Sequence, residues 1–222
     1  MKKFFISNAV FLLIISALFA QNTREEIFRH PLGPQTRNAF NETCSALANH
    51  SYIKGTFEQV KTISRLERSL KSSGNFIIAS DMGMVWETLK PFSSTMALGK
   101  NFIIQSRPGG QKTFLSAQGN ETFLHMAEVI SAVFSGNAKE LLENFEVYYF
   151  MPDQSRGSWE LGLIPQNKAI GVFAERIIMK GDSAIRSIFI NEQSGDSIQY
   201  ILMNHSYPPE LNANEKAVFI LP

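Results

Sequence analysis

The sequence predicts an α+β fold, mainly antiparallel β, in which a meander of short strands curves, either open or nearly closed, and amphipathic helices lie against it. Three observations predict it. From Gly55 onward the chain breaks into short apolar or alternating runs, separated by turn residues at hairpin spacing. Two stretches, Pro34 to about His50 and Asn120 to Ser135, instead repeat their apolar residues at helical spacing. After the first 20 residues no apolar run could span a membrane as a helix, and no composition break divides the chain.

Met1 to Ala20 has the layout of a secretory signal: Lys2 and Lys3, an apolar run from Phe4 to Phe19, and small Ala20 before polar Gln21. Ser7, Asn8 and Ser16 interrupt that run, which suits a cleaved signal better than a membrane anchor. Cleavage near Ala20 would release residues 21–222 as one exported, periplasmic domain. No cysteine stands at the cleavage point, so the protein is not expected to be a lipoprotein itself. Its 19 basic residues against 20 acidic ones give a net charge of −1. Phosphate binding needs a basic surplus, so nucleic acid is not an expected partner.

The elements follow in order. Gln21 to Gly33 reads as loose chain. Pro34 suits a first helical turn, where its missing N–H costs nothing, and Phe40, Cys44 and Leu47 form one narrow apolar face. Strands are expected over Gly55 to Ile63, Gly74 to Ala79 and Met84 to Leu89, with a charged turn at Arg65, Glu67 and Arg68 between the first two. Pro91 ends the third because it has no N–H for a ladder. Ser93 to Leu98 and Asn101 to Ser106 are two more strands, and Thr113 to Gln118 is ambiguous. Phe123, Met126, Ala127, Ile130, Val133 and Phe134 share one face of the Asn120–Ser135 helix. A short helix, Ala138 to Asn144, follows. Strands then run over Phe145 to Met151, Ser158 to Ile164, Arg176 to Lys180, Ala184 to Asn191 and Ser197 to Met203, with one helical turn from Lys168. In the last strand Ile198, Tyr200 and Leu202 share a face. Val218 to Leu221 is expected as an edge strand.

Catalytic chemistry has no visible foothold. The four histidines, His30, His50, His125 and His205, have no second ligand at metal spacing, and His125 with Glu128 lacks a partner pair. No Gly-x-Ser-x-Gly elbow or phosphate-cradling loop occurs. Lone Cys44 sits on a helical stripe and reads as a buried small hydrophobe. No cofactor, metal or catalytic residue is expected. The unusual stock is 18 Phe and 8 Met, bulky residues that either fill a core or line a wide cavity.

Phe57-x-Gln59, Gly74-x-Phe76 and Trp86-Glu87 leading to Pro91, in that order after a signal and a helix, resemble the outer-membrane lipoprotein carrier (LolA) family. Pro91-Phe92-x-Ser94-Thr95 is similar to a divergent branch of it. The resemblance implies a curved, half-open (incomplete) β-barrel, with α-helices packed on or covering its apolar concave face. It implies a non-enzymatic periplasmic carrier that shelters the acyl chains of lipoproteins. It would take them from an inner-membrane lipoprotein-releasing transporter and pass them to an outer-membrane acceptor, as a monomer. In that family an Arg shortly before the Trp strand helps hold a helical lid. Here the matching stretch, Ser80 to Met84, has none. Another lipid or glycolipid as cargo therefore stays open, and an exported hydrolase is a more distant alternative.

The expected lining is Phe57, Phe76, Ile78, Trp86, Met96, Leu98, Phe123, Met126, Ile130, Ile178 and Ile188. Phe57, Phe76 and Trp86 rest on the motif, the others on alternation or helix spacing. A register error of one residue would turn any strand residue outward.

Overall fold

A computed structural model describes residues 25–99, 102–110, 112–116, 133, 134, 136–153 and 157–219 of the chain. Eleven antiparallel strands form one sheet: β1 (Tyr52–Ile63), β2 (Arg68–Ala79), β3 (Gly83–Lys90), β4 (Ser94–Leu98), β5 (Phe102–Ser106), β6 (Thr113–Ser116), β7 (Phe145–Asp153), β8 (Ser158–Pro165), β9 (Arg176–Gly181), β10 (Ile185–Asn191) and β11 (Ser197–Ser206). Their order across the sheet is β6-β5-β4-β3-β2-β1-β11-β10-β9-β8-β7. The chain lays down one half as a meander, crosses over, and lays down the other half inward until β11 meets β1. The outermost strands β6 and β7 do not pair, so the sheet is open and not a closed barrel.

Helix α1 (Pro34–Ala48) begins where Pro34 is tolerated, with Thr36 Oγ1 accepting the Gly33 N–H. It buries Phe40, Cys44 and Leu47, the three residues of its apolar stripe. Tyr149 of β7 anchors it: the Phe40 and Tyr149 rings meet edge to face at 5.8 Å, and the Tyr149 hydroxyl lies 2.7 Å from Thr43 Oγ1. Helix α2 (Ala138–Asn144) has the predicted bounds, and Asn137 caps it by accepting the Glu140 N–H. The link before it crosses α1 at Gly136. There φ is +62°, and a Cβ would stand 2.4 Å from the Cys44 carbonyl oxygen, so only glycine fits. The single turn α3 (Lys168–Gly171) precedes β9.

Four expectations are corrected. Chain before Gly33 is not loose throughout. A 3-10 turn, Glu26–Arg29, buries Ile27, and His30 to Leu32 then runs along the free edge of β7, exchanging backbone hydrogen bonds with Val147 and Tyr149. That contact covers an otherwise open strand edge. β2 starts at Arg68, six residues before the predicted Gly74, because its polar half pairs with β1 through Lys71 and Ser72. Thr113–Ser116 resolves the ambiguous stretch as a strand. Val218 and Phe219 do not add a strand. They follow helix α4 (Ala213–Ala217), whose capping box joins Asn212 and Glu215, and they cover the outer face.

The core is divided between the two faces of the sheet. The inner face, under α1 and α2, carries the large apolar cluster. A smaller one on the outer face gathers Ala79, Val85, Ala97, Ile104, Leu211 and Phe219.

Candidate functional site

Ladder register decides which residues share the inner face. One row crosses β1 to β5 as Ile53, Ile78, Met84, Leu98 and Ile103. The next contains Gly55, Phe76, Trp86 and Met96. Phe57 pairs with Leu202 on one side and with Gly74 on the other. On the other half, Tyr149, Leu161, Met179, Ile188 and Tyr200 continue to Gln59, and Val147, Leu163, Ile177, Ile190 and Ile198 continue to Lys61. Apolar residues thus run without a break from β7 to β11, then give way to polar ones on β1.

Phe57, Phe76, Ile78, Trp86, Met96, Leu98 and Ile188 therefore all lie on this face, as the spacing predicts. Ile178 does not. It pairs with Phe189 and Gly162 and belongs to the opposite face, where Ile27 and Phe28 pack over Gly162. Ile177 and Met179 are the inner residues of β9. Three consecutive apolar residues with burial on both faces leave no alternation to read. Phe123, Met126 and Ile130 lie outside the described residues.

The motif residues, separated by up to 29 positions, converge. The Trp86 indole stacks on Phe57 at 4.2 Å and on Phe76 at 5.9 Å, and Tyr200 meets it edge-on at 5.2 Å. Glycine makes the room. A Cβ on Gly55 would stand 2.6 Å from the Phe76 ring, and one on Gly74 would stand 1.8 Å from the Glu87 carbonyl oxygen. Phe57 and Phe76 are each 1% exposed, whereas Trp86, Met96, Ile103, Ile190 and Tyr200 are only partly buried. Burial pushes the Tyr200 phenol up to about 12 and the Cys44 thiol up to about 11, so both stay neutral at ordinary pH. For Cys44 that confirms an inert, packed thiol.

Between α1 and this face is a small, largely apolar hollow of about 20 Å³, walled by Leu47, Ile53, Phe76, Ile78, Phe134 and Leu202, with His50 and His205 at its margin. It has room for about one water and far too little for an acyl chain. Three larger recesses among the described residues, of about 520, 460 and 460 Å³, have mixed polar and apolar walls and lie elsewhere. The first is on the outer face below α4, where Lys54 pairs with Glu215 and the Asn75 side chain donates to Glu87. Among the described residues no three His, Cys, Asp or Glu side chains gather as a metal site would require.

Three histidines make side-chain contacts. His30 stacks on Phe150 at 4.3 Å, and His50 stacks on Tyr207 at 3.9 Å. His205 sits in the wall of the apolar hollow, 3.2 Å from an Arg186 nitrogen; burial and that cation hold its pKa below the usual value. The expected lining also left out much of the face: Val147, Tyr149, Leu161, Leu163 and Met179 are buried there beside Phe57 and Phe76. For β7 and β8 the period-two signal was present; what was missing was the pairing that carries them to the same surface as Phe57.

The candidate site is therefore an apolar, aromatic-rich sheet face with an amphipathic helix packed over part of it. No family model and no curated protein matches the chain. Solved structures resemble it in outline. A LolA superfamily protein from Nitrosomonas europaea superposes with a TM-score of 0.47 at 8% identity, covering 83% of this chain and 97% of that one. A DUF1329 family protein from Desulfovibrio piger gives 0.43 at 7% identity, over 80% and 95%. The Mycobacterium tuberculosis lipoprotein LppX gives 0.38 at 8% identity, over 82% and 100%.

Proposed function

We propose that this chain is an exported carrier, cleaved after its signal segment and acting in the periplasm, whose inner sheet face shelters the acyl chains of a lipid-modified cargo. The observation that carries the reading is the convergence of the resemblance residues Phe57, Phe76 and Trp86 into one stacked group. A motif that served only strand formation would not need to meet in space. By the same resemblance, lipoproteins are the cargo, moved from an inner-membrane releasing transporter to an outer-membrane acceptor.

Energetics favour exchange over static storage. An acyl chain leaving a bilayer loses about 0.8 kcal/mol per CH₂, roughly 10 kcal/mol for a long chain. It moves only if another apolar surface replaces the lipid. The hollow beneath α1 holds only about 20 Å³, so cargo seated there must displace something. Helix α1 is suited to that: it buries only Phe40, Cys44 and Leu47, worth roughly 5 kcal/mol together at typical side-chain values. Exposing those three side chains would cost less than one acyl chain returns, so exchange at this hollow stays feasible. No covalent step is involved.

One observation favours a second cargo. The β2–β3 turn, Ser80 to Met82, has no Arg to hold a lid; its Ser80 N–H donates to the Ser51 carbonyl instead. A glycolipid or other lipid would use the same face. Native mass spectrometry of protein purified after export distinguishes the readings. Co-purified acylated peptides support lipoprotein, free lipid masses support the second cargo, and empty protein that also fails to bind a fluorescent fatty-acyl probe overturns both. Trp86→Glu should lower probe uptake at least tenfold, with the far-ultraviolet spectrum unchanged.

A further inference from the structure

The two halves of β2 differ sharply. From Ser73 to Ala79 it is paired on both sides, with β1 and with β3. From Arg68 to Ser72 it pairs with β1 alone among the described residues. The β1–β2 hairpin therefore projects five residues beyond the β3–β4 turn, roughly 17 Å at strand rise. A stepped margin results, with the hairpin end at the top and the turn at Pro91 at the bottom.

That margin holds a concentration of exposed apolar side chains. Leu66 is 61% exposed, Leu70 58%, Leu89 47% and Phe92 83%. Single exposed leucines are ordinary, but four large apolar residues in two neighbouring turns and the strand ends beside them call for a partner. Interleaved with them are Arg65, Arg68, Lys71 and Lys90, all exposed and none ion-paired among the described residues, against one acid, Glu67. The nearby acids on the β10–β11 turn are engaged: Glu192 pairs with Lys61, and Asp196 accepts the Ser64 N–H. A cationic surplus here contrasts with a net charge of −1 for residues 21–222.

We propose that this stepped margin docks on the surface of a bilayer containing anionic phospholipid. Basic side chains among exposed leucine and phenylalanine fit the headgroup layer, where the cations meet phosphate and the apolar side chains reach the acyl boundary. A protein groove would satisfy the apolar residues but not four unpaired cations. A soluble anion would satisfy the cations but leave Phe92 in water. The free β2 edge stays at headgroup depth, where water and phosphate serve its N–H groups, since an unpaired edge is excluded from hydrocarbon. Docking places the margin, and with it the end of the sheet carrying Lys61, Ile63 and Leu70, against the lipid. This inference does not depend on what fills the inner face.

Protein purified after export is sedimented with vesicles of phosphatidylethanolamine and phosphatidylglycerol, and with neutral phosphatidylcholine vesicles. Binding is expected to the anionic vesicles, to fall steeply with salt, and to be weak on the neutral ones. Replacing Arg65, Arg68 and Lys71 by Gln should weaken it roughly tenfold or more, since each basic residue near an anionic surface adds measurably. Leu66→Ser with Phe92→Ser should weaken it without changing the salt dependence. All these side chains are exposed, so thermal midpoints should hold and fatty-acyl probe uptake in vesicle-free solution should not change. No binding to anionic vesicles, equal binding to neutral ones, or binding untouched by both variant sets overturns the proposal. Loss of probe uptake with vesicle binding intact would instead count against the carrier reading alone.

Discussion

The two halves of the inner sheet face are built from similar residues and packed differently. On β7 to β9, Val147, Tyr149, Leu161, Leu163 and Met179 are between 0 and 6% exposed, with α1 anchored directly above through Tyr149. On β3 to β5, Trp86, Met96 and Ile103 stay partly exposed. One half is a finished core. The other mixes buried Met84 and Leu98 with those partly exposed side chains, and the Phe57–Trp86–Tyr200 group lies where the two meet. Composition alone does not distinguish a core from a binding surface; coverage does.

The largest effects should fall in the finished half. Leu163→Ala is expected to cost about 2–5 kcal/mol in denaturant unfolding, and Met96→Ala roughly half that or less. Equal losses would mean both halves are equally packed. At the junction, Gly55→Val should cost about 1–3 kcal/mol, because its side chain enters the space of the Phe76 ring. Near-ultraviolet circular dichroism should change with it, since the ring stack moves. Smaller again is a pH effect. The His205 pKa is lowered in the folded chain, so the folded state binds fewer protons than the unfolded one as the imidazole titrates. Stability should therefore decline as pH falls through and below about 6.5. His205→Gln should flatten that slope, as followed by thermal midpoints between pH 7.5 and 5. Smallest is the outer-face ion pair: Glu215→Gln should cost about 0–1 kcal/mol, since Lys54 and Glu215 keep solvent access.

Much of this was legible in the sequence where local physics is strong. Pro34 and the Phe40–Cys44–Leu47 stripe located α1, and the bounds expected for α2, Ala138 to Asn144, are those observed. The meander followed from turn residues, and the motif strand positions predicted the inward placement of Phe57, Phe76 and Trp86. What failed depended on distant partners. Arg68 to Ser73 has no strand pattern of its own and is held by its ladder with β1. Ile177, Ile178 and Met179 are all buried because both faces of β9 are covered, one by the inner core and one by the Ile27 turn. Val218 and Phe219 resemble a strand, yet the Asn212 cap sets a helix just before them and the pair covers Val85 and Ala97. Openness of the face could not be read from spacing, because a stripe that packs and a stripe that binds have the same period.

The two tryptophans occupy the two kinds of surface. Trp159 is 2% exposed and donates its Nε1–H to the Asp182 carbonyl at 2.7 Å, while Trp86 stands at the junction. In a Trp159→Phe variant, fluorescence reports Trp86 alone. Titration with a lipid carrying brominated acyl chains should quench that emission and shift it to the blue, saturably, and the Trp86→Phe variant should show little quenching of Trp159. Binding of the brominated lipid with Trp86 emission unchanged, or no binding at all, would contradict a cargo seat on the inner face.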